Sequence, residues 1–154
     1  METMSLEQMY YIGELIGVIA LVTSLIYVGK QIRQNTKTMQ VNAAGTQARW
    51  VSEVISHVTH NRDNAEWWIK GGADFNTLDD IDKQRVLNHE YGVINMWNYF
   101  FYLRQQNLMP VDQWNFQVWG FKKFGARQSV REIWKSVKDG YEKSFQDFMG
   151  QYLE

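Results

Sequence analysis

The chain has no cysteine and a single proline, Pro110, in 154 residues. Without thiols neither disulfides nor thiolate metal sites can form, and the redox compartment stays open. With one proline there is little to interrupt helical backbone, and good helix formers (Gln, Glu, Lys, Met, Leu) are common. Neither charge sign is in excess: 16 Lys plus Arg stand against 17 Asp plus Glu, a net charge of -1. A protein that grips phosphates needs a basic face, so nucleic acid is not an expected partner. Alternating strand patterns, internal repeats and low-complexity tracts are missing. So are a nucleophile elbow, a phosphate loop and a metalloprotease helix, and the chain is read as no enzyme, with no cofactor.

What is present is one long apolar run. From Met9 to Gly29 the only ionisable side chain other than tyrosine is Glu14, and Leu15 to Gly29 carries no charge. Twenty-one helical residues rise about 31 Å, the thickness of a bilayer's hydrocarbon core. Tyr10, Tyr11 and Tyr27 sit at the ends, where interfacial aromatics belong. The competing expectation is a buried central helix of a soluble bundle. Glu2 and Glu7 precede the run, whereas Lys30, Arg33, Lys37 and Arg49 follow it before Glu53. The positive-inside rule then places a short N-terminus outside and the C-terminal part in the cytoplasm. An acidic start with Lys30 directly behind the apolar run is unlike a cleaved signal peptide. The basic trio Lys30, Arg33 and Lys37 is also suited to anionic lipid head groups.

The expected fold class is all-α: one N-terminal transmembrane helix, residues 1–34, continuing into a small cytoplasmic helical bundle, residues 35–154. Ser5 is a good N-cap, and no strong breaker occurs before about Asn61, so one very long helix, or two meeting near Asn35–Thr36, is expected. In its second half Ala44, Ala48, Val51, Ile55 and Val58 recur at helical spacing and are expected to face the bundle. A short helix follows over 63–70, with Gly71-Gly72 as its C-cap and turn. Helices over 82–106, from Pro110 to Gly125, and through Val130 to Phe148 with a break at Gly140 complete the chain. Seven Trp, eight Tyr and eight Phe supply the core, and only Tyr10, Tyr11, Tyr27 and Trp50 precede Trp67.

The stretch Leu25 to Thr36, Leu-Ile-Tyr-Val-Gly-Lys-Gln-Ile-Arg-Gln-Asn-Thr, resembles the opening of an abundant family of small bacterial membrane-anchored helical proteins. Trp68 to Gly71, Leu78 with Asp82 and Arg85, Leu108 to Trp114, and Arg131 to Trp134 before Tyr141, Phe145 and Phe148 extend the resemblance. It implies a helical protein of the bacterial inner membrane and carries no established activity with it.

Candidate functional residues are few. Gly13 and Gly17 form a GxxxG pair that Ala20 and Ser24 continue, a small-residue face suited to helix–helix association in lipid. Lacking another span in the chain, such a helix would find its partner in a second copy, giving a homo-oligomer. Glu14, Gly17, Leu21, Ser24 and Val28 form a stripe that could instead line a small cation-selective pore, with Glu14 ringing its mouth. His57 and His60 with Glu53, and His89 with Glu90 on a second helix, were weighed as metal ligands. The paired Glu-x-x-His spacing of di-iron bundles is absent, and no metal is expected. Trp67-Trp68, Trp97 to Tyr102 and Trp114 to Phe124 are core or, less readily, the walls of a ligand pocket. Three readings follow: a membrane-anchored scaffold or regulatory protein that self-associates and meets an unidentified protein partner, a homo-oligomeric channel, and a soluble bundle that binds an apolar ligand.

Overall fold

Ser5 and Gln8 close a capping box. The Ser5 Oγ accepts from the Gln8 backbone N–H at 3.2 Å, and the Gln8 side chain accepts from the Ser5 N–H at 3.0 Å. From there the computed structural model, which describes residues 4–153, runs as α1 (Leu6–Thr59). The later elements are α2 (Arg62–Ala73), a 3-10 turn (Phe75–Thr77), α3 (Asp80–Gln105), α4 (Val111–Phe124), α5 (Gln128–Val137), a second 3-10 turn (Lys138–Gly140) and α6 (Lys143–Leu153). The described residues contain helices and no strand. The fold is all-α. Backbone contacts divide it into two units that meet between Met39 and Gln40.

In the first unit every described residue up to Met39 is exposed. The helix passes unbroken through Asn35–Thr36, where the Thr36 hydroxyl donates to the Ile32 carbonyl. Glu2, used above to set the orientation, lies outside the described residues.

The second unit is built from caps and aromatic packing. Asn61 and Asp79 each accept from a backbone N–H three residues on, at 2.8 Å, and so start α2 and α3. Helix α3 ends in a Schellman turn. Asn107 adopts φ 57°, the Leu108 N–H returns to the Leu103 carbonyl, and the Asn107 N–H returns to the Arg104 carbonyl. Pro110 caps α4 and needs no donor there. Phe100, Phe121, Phe145 and Met149 are fully buried at the centre, and Trp97 meets Phe121 edge-on at 5.0 Å. A satellite cluster of Trp67, Phe75, Leu78 and Val86 fixes α2 on α3.

Two local expectations are corrected. The inward face of α1's second half is Ala43, Trp50, Val54 and Val58, whereas Ile55 is 55% exposed and Ala48 is exposed. Trp50 decides this rotation: it packs on Tyr99 at 5.1 Å and Phe100 at 6.0 Å, an area that the alanine stripe cannot match. Gly71 and Gly72 do not end α2, which continues to Ala73. They serve close approach instead, because a Cβ on Gly71 would strike Val86 and one on Gly72 would strike the Arg127 guanidinium.

Candidate functional site

The sequence-derived site residues of the first unit all lie on α1. At 100° per residue Gly13, Gly17, Ala20 and Ser24 fall on one side, with Glu14, Leu21 and Val28 along its border. A Cβ placed on Gly13 or Gly17 would meet nothing within 4 Å, so the small-residue face is open. Leu15, Leu21 and Leu25 are 60 to 63% exposed. This stretch is long and apolar enough to cross a membrane, and none of it is buried. The alternative expectation, a helix buried inside a soluble bundle, differs from this exposure. Lys30, Arg33 and Lys37 follow along one side of the helix, exposed, and none is in an ion pair among the described residues.

The second unit holds a buried polar cluster. Glu90, 2% exposed on α3, accepts from the Arg127 Nε at 3.1 Å and from the Ser129 hydroxyl at 2.9 Å. Arg127 sits just before α5, stacks its guanidinium 3.7 Å from the Trp68 ring centre, and donates to the Trp68 carbonyl at 2.6 Å. The missing Cβ of Gly72 makes room for that reach. Burial pushes the Glu90 carboxyl above its ordinary range, while Arg127 and Ser129 pull it back. Gln128 adds a further tie by accepting from the Phe75 backbone N–H at 2.9 Å.

Next to this cluster two imidazoles meet. The His57 and His89 rings are 5.5 Å apart and nearly parallel, and Trp67 stands against both. They border a cavity of about 700 Å³ with Glu53, Asn64 and Arg85. Burial, with the nearby His57 and the positive charge of Arg127, brings His89 down to about 4, so it is neutral at pH 7. His60 does not join them and is exposed in a shallow hollow beside Ser56. Among the described residues no three His, Cys, Asp or Glu converge to hold a metal ion.

A second cavity, of about 240 Å³, lies where the C-terminal part of α1 meets α3 and α4. Among its mostly apolar and aromatic lining residues stand the polar side chains of His89, Glu90, Gln117 and Arg127. Of the aromatic clusters weighed from sequence, Trp97, Phe100 and Phe121 are core, whereas Phe116 and Trp119 stack on each other in the open.

Pairing of His57 with His89 was within reach of helical spacing, and both had been singled out. Arg127 had not. It stands 37 residues from Glu90 in a turn, and its only sequence signal is Gly72, which clears its path. Gln117 was likewise missed, since a glutamine among α4 aromatics reads as a surface residue. Comparison with protein-family models, curated proteins and solved structures finds no match for this chain.

Proposed function

We propose that the chain is a non-enzymatic scaffold or regulatory protein held in the bacterial inner membrane by the first part of α1, which also self-associates. The observation that carries this reading is the unbroken, wholly exposed apolar helix up to Gly29. Nine Leu, Ile and Val lie between Leu15 and Val28. At about 0.3–0.6 kcal/mol each at the centre of a bilayer they favour insertion by about 3–5 kcal/mol. Glu14 opposes this, but about one turn inside the outer interface its carboxylate can reach the head groups. Lys30, Arg33 and Lys37 oppose translocation of the C-terminal side and keep the helical domain in the cytoplasm.

Self-association rests on Gly13, Gly17, Ala20 and Ser24. In hydrocarbon the driving force is close backbone packing, and these residues leave the helix surface bare enough for it. The bacterial source rests on the resemblance of Leu25 to Thr36.

The test is membrane fractionation followed by native mass measurement in mild detergent. The expected result is a carbonate-resistant membrane protein of at least two copies, which Gly17→Ile shifts to monomer. A protein that stays in plain buffer overturns the anchor. A strict monomer in membranes overturns self-association.

A further inference from the structure

We propose that Lys30, Arg33 and Lys37 form a binding stripe for anionic phospholipid, on the side of α1 that self-association leaves free. The inference rests on the membrane anchor proposed above and names the lipid that meets it. All three side chains are exposed, and none is in an ion pair among the described residues. Between Glu14 and Glu53 the chain has no acidic residue, so nothing in the local sequence neutralises them. At 100° per residue the three lie within about 60° of one another, an i, i+3, i+7 stripe. Its centre stands about 140° from that of the Gly13, Gly17, Ala20 and Ser24 face, so packing on that face leaves the cations turned outward. All of these residues belong to the first unit.

Depth and charge select the occupant. Lys30 directly follows Gly29, where the apolar run ends. At 1.5 Å per residue Lys30, Arg33 and Lys37 stand about 2, 6 and 12 Å beyond it. The head-group layer on each side of the hydrocarbon is about 5–8 Å thick, so the first two fall within it and the long Lys37 stem reaches back to it. At that depth a helix is surrounded by lipid phosphates and water. A zwitterionic lipid carries its own ammonium beside the phosphate, whereas an anionic lipid leaves the phosphate charge for the protein to meet. Arg33 suits it further, because a guanidinium donates to two phosphate oxygens at once. Topology alone is indifferent to which side of the helix the cations occupy. Their gathering on one side is what makes a site for a head group.

The experiment is a native mass titration of the full chain in neutral detergent, with phosphatidylglycerol or phosphatidylcholine of the same acyl chains. One cation near an anionic surface is worth about fivefold in affinity, so three predict about hundredfold tighter binding of phosphatidylglycerol. Lys37→Gln should cut the preference about fivefold, and Lys37→Arg should keep it. Lys30→Gln, Arg33→Gln and Lys37→Gln together should bring the ratio to about one. Orientation, which these cations also set, does not enter in detergent. Gly17→Ile should keep the preference while losing self-association, so failure of the association reading and failure of this site read out separately. A protein that proves soluble without detergent is floated with phosphatidylcholine vesicles with and without phosphatidylglycerol. Flotation with the anionic vesicles alone supports the stripe, and flotation with both or with neither overturns it. Equal affinity for both lipids, a preference that survives the triple change, or its loss in Gly17→Ile would each overturn the proposal.

Discussion

Replacing Arg127 by alanine should be among the most damaging single changes in the helical domain. The Glu90 side chain is 3% exposed and that of Arg127 14%, so their 3.1 Å ion pair is shielded from water. Removing the guanidinium leaves the carboxylate with Ser129 as its remaining side-chain donor, and frees the Trp68 carbonyl and ring as well. Stranding a buried charge in this way typically costs about 3–5 kcal/mol. For a helical unit of this size that corresponds to a fall in Tm of about 10–20 °C. Thermal melts of the full chain in detergent, followed by circular dichroism near 222 nm, measure it. Two further results should accompany the loss. Glu90→Leu combined with Arg127→Met should recover about half of it or more, since a matched apolar pair has no charge to desolvate. The Arg127→Ala variant should also gain stability relative to the parent as pH falls from 8 to 5. Burial alone then raises the folded carboxyl above its unfolded value, so the folded state binds the extra proton. A Tm within about 3 °C of the parent, with no pH dependence in the difference, would refute the argument.

Three further predictions can be checked with the same protein. Gly72→Ala should destabilise by about 2 kcal/mol or more because its Cβ strikes Arg127, whereas Gly92→Ala, with open space around it, should stabilise α3 by about 0.5–1 kcal/mol; urea midpoints moving in the same direction would contradict this. His89, held down at about 4, refuses a proton that the unfolded chain takes at about 6.5, so its contribution is complete above pH 6.5 and is lost as pH falls towards 4. Discounted for partial exposure the loss is about 1–2 kcal/mol, and the Tm difference between parent and His89→Phe should change over that window and stay flat above pH 7. The absence of native cysteine gives a clean topology assay. Ser5→Cys should react with a membrane-impermeant maleimide on intact cells, and Lys138→Cys only after permeabilisation. The reverse labelling pattern would overturn the orientation.

The part of the molecule that was legible in advance is the part governed by additive, local energies. Hydropathy summed over Leu15 to Gly29 marked the exposed helix, and it did so without reference to any other residue. The cap at Ser5 depends on side chains within three residues, and the break near Gly140 is likewise local. The face of α1 was less legible. Apolar period alone favoured Ala44, Ala48 and Ile55, while the choice was made by one large ring, Trp50, finding Tyr99 and Phe100 about fifty residues away.

The polar site lies at the opposite extreme, because none of its members has meaning by itself. Glu90 becomes a buried carboxylate only when Arg127 arrives from 37 residues later, and Arg127 arrives only because Gly72 leaves its path open. Gln117 turns from a surface-type residue into a buried donor once α4 lays it against the cavity. Such groups carry desolvation costs that only the assembled fold can offset, so they mark where the sequence has been chosen against local preference. Glu90 has its offset in Arg127 and Ser129. The side-chain N–H groups of Gln117, Trp68 and Trp134 have no such offset among the described residues.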